Sequence, residues 1–339
     1  MDLGIILFAY GILFCIFALG CIIGSFLNVV ILRAFSGESI VLPPSKCPKC
    51  GNRLKWWHNI PILSYIFLRG KCGFCHEKIS IQYPIVEFVT GCLFVAVFFA
   101  FGLKIDTLFA LAVVSLLVVL SVTDIKERVV FVPHTLCLVG VGVVYAIYTT
   151  SLSVLQQVNS LGGVVLSKEF LLNNWVTMSI FGIIVGVAVM ELIARLGYLF
   201  VGERAFGEGD SYIAAGLGAV FGWKNVLVIL VMSVFIQLIL TLPPFLKKLY
   251  CNGKKGTFAS LLGFFAYVIV YFILDKQTDL FNNGWVLAFA MIILAGLGIL
   301  ACVNVIRGLK DRDNFTYLPF GPALAIAGLV MLFGLSVLN

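Results

Sequence analysis

Long apolar runs separated by short polar segments dominate this chain, and their lengths predict membrane-crossing helices, which need about 20 apolar residues each. Ten runs are read as spans: 5–32, 84–103, 106–123, 129–150, 175–200, 211–223, 225–245, 257–274, 284–305 and 317–338. The sixth is short and carries Gly216, Gly218 and Gly222. Such a helix packs closely on its neighbours or lines a cavity instead of facing lipid. One polar segment, residues 33–82, is long enough to be a domain of its own. The expected architecture is therefore an all-α polytopic membrane protein of about ten transmembrane helices, with a small cytoplasmic zinc-binding loop domain. Its parts are a first helix at 1–32, the loop at 33–82 and a membrane core at 83–339.

Composition agrees with the pattern. Of the 339 residues 61% are hydrophobic and 12% charged, against roughly 25% charged in a soluble domain, and the mean hydropathy is +1.11. When alternate loops are assigned to opposite sides, 19 of the 23 Lys and Arg residues fall on one side. That side is expected to be cytoplasmic, with both termini periplasmic. The net charge of +7 then reflects topology, with attraction to anionic inner-membrane lipid as a further effect; nucleic acid is not indicated. Residues 1–32 begin with Asp2 and lack a small-residue cleavage site, so they are read as a retained span and not a signal peptide.

The polar segment holds Cys47-Pro48-Lys49-Cys50 and Cys72-Gly73-Phe74-Cys75. Two such knuckles, a couple of dozen residues apart, have the spacing of a four-thiolate zinc site. A cytoplasmic location keeps thiols reduced. Four sulfurs leave no open position for substrate, so structural Zn2+ is expected, and the metal supplies folding energy to a loop with little core; a redox pair and vestigial cysteines are the other readings of the same knuckles. His58 and His76 are taken as surface residues, and the six other cysteines as small apolar side chains.

Acidic residues at membrane depth are costly and call for a partner, water or a function. Asp210, in Gly207-Glu208-Gly209-Asp210, and Asp124, after the run 116–123, fall at the same depth and on the same side by the topology alone. Two carboxylates on one water share a proton and form a general acid and base able to hydrolyse a peptide bond. Gly207 and Gly209 permit unusual backbone angles and close approach of an extended peptide. Hydrated interfacial charges, or a proton or cation pathway, account for the same two acids. Elsewhere, Asn28 suggests a hydrogen bond between helices, Glu87 a hydrogen-bonded interfacial role, and Glu191 a pair with Arg195. The stretch 318–322 suggests irregular chain at membrane depth.

Taken together, several segments resemble the bacterial type IV prepilin peptidases. They are Gly24-Ser25-Phe26-Leu27-Asn28-Val29-Val30, the two Cys knuckles, residues 57–65 and Leu68-Arg69-Gly70-Lys71. Further along come Ile79-Ser80, Tyr83-Pro84, Val86-Glu87, Asp124, Gly207-x-Gly209-Asp210 and Pro319-Phe320-Gly321-Pro322. The resemblance implies cleavage of the basic leader of prepilins and pseudopilins after a glycine, with Asp124 and Asp210 catalytic. It also implies methylation of the new N-terminal amine from S-adenosylmethionine, associated with the loop and with Gly70 and Lys71, in type IV pilus or type II secretion systems. The chain departs from the family at Pro133-His134, which lies further past Asp124 than usual, and at Ser211-Tyr212, where a hydrophobic residue and Lys are usual. Residues 251–306 look like an insertion of two spans. The competing readings are a peptidase without methylation, a cation-coupled transporter, for which no inverted repeat is found, and an inert assembly partner of a pilus or secretion machine.

Overall fold

The computed structural model describes residues 3–42, 44–161, 168–201, 207–251 and 319–338, with isolated positions between 256 and 300. Its helices are α1 (Leu3–Ser36), α2 (Leu63–Phe67), α3 (Gln82–Phe101), α4 (Ile105–Glu127), α5 (Val132–Leu161), α6 (Lys168–Asn173), α7 (Trp175–Val201), α8 (Glu208–Cys251) and α9 (Gly321–Leu338). Six of them, α1, α3, α4, α5, α7 and α8, are long and apolar enough to cross a membrane, and α9 is a shorter apolar helix. The chain divides into two compact units, residues 1–236 with 319–339, and residues 237–318. More than half of the residues in the expected spans at 257–274 and 284–305, and with them most of the insertion at 251–306, lie outside the described residues.

Small residues decide which helices touch. In α1 and α3 the glycines leave room for the neighbouring chain. A Cβ on Gly20 would sit 2.8 Å from the Gly91 backbone, and one on Gly24 would sit 2.8 Å from the Glu87 backbone. In α7 and α8 the contact is backbone on backbone, because Gly182 meets the Gly218 carbonyl and Gly186 the Ala214 carbonyl. Ser179 Oγ adds a hydrogen bond of 2.8 Å to the Ala219 carbonyl. Without a hydrophobic force between helices in lipid, such close packing is what holds them together. The expected sixth and seventh spans both fall on α8, which is broken at Gly222 (φ 77, ψ 170), a conformation open to glycine alone. A core of α4, α8 and α9 side chains, including Leu117, Leu120, Ile213, Leu217 and Leu324, is fully buried.

The sequence expected a loop over 151–174, yet α5 continues to Leu161 and α6 fills 168–173. Leu152, Leu155 and Val158 keep helical spacing beyond the apolar run, so hydropathy ends before the helix does. Of the irregular chain expected at 318–322, Pro319 and Phe320 are non-helical and residue 318 lies outside the described residues. Helix α9 starts at Gly321, with Pro322 in its first turn, where its missing N–H costs nothing.

Candidate active site

The end of α4 and the start of α8 bring the two aspartates to one end of the bundle. Asp124, in the last turn of α4, is 5% exposed, and Asp210, in the first turn of α8, is 8% exposed. They are close enough for the Asp124 charge to act on Asp210. Gly321 N–H, at the start of α9, donates to Asp124 Oδ2 at 2.8 Å. Helix α4 ends at Arg128 in a left-handed conformation (φ 56). The chain then turns so that Val130 covers Gly209, where a Cβ would lie 2.6 Å from the Val130 Cβ. Gly209 is thus required by packing. Among the described residues the nearest side-chain atom to a Cβ at Gly207 is Asp210 Oδ2, at 3.8 Å.

The other polar residues at this end support the pair. Glu191 Oε2 lies 4.0 Å from Arg195 Nε, and its Oε1 accepts a 3.4 Å bond from the Ser211 hydroxyl, next to Asp210. The sequence anticipated the pairing with Arg195 but not the bond to Ser211. Pro133 and His134 open α5, and the Phe131 carbonyl accepts the N–H groups of His134 and Thr135. Tyr212 is largely exposed.

In the loop, the four sulfurs of Cys47, Cys50, Cys72 and Cys75 all lie within 4.8 Å of one another, and those of Cys47 and Cys75 are 4.0 Å apart. A tetrahedron with metal–sulfur bonds of about 2.3 Å has edges near 3.8 Å, so these residues fit such an ion. Both knuckles fold alike. Cys47 N–H donates to the Asn52 carbonyl and Cys72 N–H to the Glu77 carbonyl, and each is framed by a single bridge, Lys46 to Arg53 and Lys71 to Lys78. The residue after the second cysteine is left-handed in each, Gly51 (φ 71) and His76 (φ 58). His76 therefore serves as a turn residue. His58, expected at the surface, instead packs its ring at 5.3 Å from Phe74 and stands over Gly73. The N–H groups of Cys75 and Phe74 bring the Cys72 thiol down to about 7, toward the thiolate a metal binds.

Gly70 is left-handed (φ 68), with the Tyr65 hydroxyl 3.0 Å from where a Cβ would be, and it follows the left-handed Arg69 (φ 51). Lys71 continues from it into the bridge with Lys78. One further contact links loop and membrane. Glu87, 7% exposed in α3, accepts the Ile62 N–H at Oε2 over 2.7 Å. Ile62 is held at φ 62, ψ −52 with Leu63 N–H bonded to the Pro61 carbonyl, a strained γ-turn for a β-branched residue. Nearby, Asn28 Nδ2 of α1 donates to the Tyr83 carbonyl at 3.2 Å.

Two family models match the chain. Residues 18–101 match the Bacterial Peptidase A24 N-terminal domain, and residues 111–242 match the Type IV leader peptidase family. Curated relatives named prepilin leader peptidase/N-methyltransferase include one from Myxococcus xanthus, 34% identical over 226 residues, which are 66% of this chain and 61% of the relative. One from Neisseria gonorrhoeae is 31% identical over 245 residues, 65% of this chain and 78% of the relative. One from Xanthomonas campestris is 28% identical over 338 residues, 93% of this chain and 88% of the relative. No solved structure matches.

Proposed function

Because the chain belongs to the type IV leader peptidase family, we propose that it is a membrane aspartic endopeptidase and N-methyltransferase of prepilins and pseudopilins. It cuts the basic leader after a glycine on the cytoplasmic side of the inner membrane and methylates the new N-terminal amine. The observation that carries the peptidase reading is the burial of Asp124 and Asp210 at one end of the bundle, with Gly321 N–H on Asp124.

The hydrogen bond from Gly321 N–H and the positive end of α9 stabilise negative charge at Asp124, which suits it to the role of general base. It takes a proton from a water as the oxygen attacks the scissile carbonyl carbon. Asp210 gives its proton to the leaving nitrogen as the carbon–nitrogen bond breaks. Asp124 then holds the water's proton and Asp210 is charged, and proton exchange resets the pair. Gly207, which has no side chain beside the Asp210 carboxyl, permits close approach of an extended substrate segment. Cys47, Cys50, Cys72 and Cys75 would hold Zn2+ as a structural ion, keeping the loop folded for methyl transfer. S-adenosylmethionine would supply the methyl group. Gly70 and Lys71 belong to the loop's methylation surface, and the two-helix segment within 251–306 is an addition to the peptidase core.

The test is to co-express the chain with one prepilin and record the prepilin's intact mass. Wild type should remove the leader and add one methyl group. Asp124→Asn and Asp210→Asn should each lower cleavage by at least about 100-fold while still inserting. Substantial processing by either variant overturns the assignment; leader loss without the methyl group leaves a peptidase alone.

A further inference from the structure

About 27 Å from Asp124 along α4, by the rise per residue, Asp106 faces a cavity of about 110 Å³ at the opposite end of the bundle. Its mouth is formed by Asp106 and Phe109 of α4, Tyr145 of α5 and Trp175 of α7, and Val113 and Leu332 lie in its wall. The rings of Phe109 and Tyr145 are 5.0 Å apart, and those of Tyr145 and Trp175 are 6.2 Å apart. The Tyr145 ring and the Asp106 carboxylate line the same cavity. Among the described residues Asp106 is the one charged group in the lining.

We propose that this cavity binds an organic ammonium group of the kind carried by the headgroup of a zwitterionic lipid. Three rings from three helices beside one carboxylate supply what an organic cation is attracted to: negative ring faces, and a half-buried counter-charge. A metal ion would find a single carboxylate and no further charged ligand. A neutral apolar molecule would leave the carboxylate without a counter-charge. The depth is that of a headgroup, because Asp106 opens its span and the preceding Leu103 is 87% exposed, as is suitable for a residue in contact with lipid. Aromatic side chains collect at that level of a bilayer. None of these residues takes part in the peptidase or methylation sites, so the inference stands independently of the proposed function.

The test is native mass spectrometry of the full chain, purified and delipidated in detergent, then offered phosphatidylethanolamine or phosphatidylglycerol with the same acyl chains. Wild type should retain phosphatidylethanolamine at least 5-fold better, and millimolar ethanolamine or tetramethylammonium should displace it. Asp106→Asn should abolish the preference. Ala110→Leu, at a buried position in the lining, narrows the cavity while keeping the carboxylate and the rings and should abolish it too, and both variants should still cleave prepilin. Displacement by soluble ethanolamine with no lipid preference identifies a free ammonium compound as the occupant. Equal retention of both lipids without displacement by either cation overturns the proposal, as does an unchanged preference in both variants.

Discussion

Replacing Gly321 by Ala tests how Asp124 is positioned. An added Cβ would sit 2.5 Å from Asp124 Oδ2 and 3.1 Å from its Cγ, about 1 Å inside the roughly 3.5 Å at which such atoms rest. Either the carboxylate rotates, losing the 2.8 Å bond from Gly321 N–H, or α9 retreats. A hydrogen bond to a charged group is worth about 1.5–3 kcal/mol, and a displacement near 1 Å at a reacting group costs about 100-fold in rate. Gly321→Ala should therefore lower kcat for leader cleavage by roughly 100-fold and leave KM nearly unchanged. Methylation of a pre-cleaved substrate should continue. Gly334→Ala, on the same helix with open space around it, is the control and should behave as wild type. Cleavage by Gly321→Ala within about 3-fold of wild type, or equal loss of both activities, would refute the positioning argument.

Three further outcomes are expected. Cys72→Ser should lower bound zinc, measured by metal analysis, and abolish methylation with a smaller effect on cleavage, because the loop depends on the ion for its fold. Glu87→Ala removes the acceptor of the buried Ile62 N–H and should speed amide exchange over 60–66 by roughly 10- to 100-fold, the equivalent of about 1–3 kcal/mol; Glu87→Gln, which keeps an acceptor oxygen, should largely restore it. Gly218→Ala should reduce folded protein in a detergent melting assay by an overpacking cost of about 1–3 kcal/mol, since its Cβ would meet the Gly182 carbonyl, whereas Gly11→Ala meets no atom.

What could be read from the sequence followed from signals that repeat along it. Apolar runs located α1, α3, α4, α5 and α7, and the cysteine spacing located the four sulfurs, since both depend on chemistry local to a segment. The shared depth of Asp124 and Asp210 came from counting spans. What escaped reading depends on one atom meeting another far along the chain. Nothing near Gly321 announces a hydrogen bond to a residue 197 positions earlier, nor does the Ile60-Pro61-Ile62 sequence reveal that its turn is held by Glu87. The role of His76 was hidden for another reason. A left-handed residue is expected to be Gly or Asn, and here the comparison of the two knuckles, Gly51 against His76, is what exposes it.

The backbone contact between α7 and α8 sets a ruler. Gly218 stands 8 residues from Asp210, about 12 Å along the helix, and no side chain lies between it and Gly182 that could compress or change rotamer. On the proposed assignment of Asp210, the level of the cutting atoms is then given by peptide geometry. A substrate lying beside these helices must bring its scissile bond to that level, so the number of residues between its apolar segment and the cut becomes a quantity the enzyme measures. Inserting one residue there moves the bond by about 1.5 Å if helical and about 3.3 Å if extended, and the blade does not follow it.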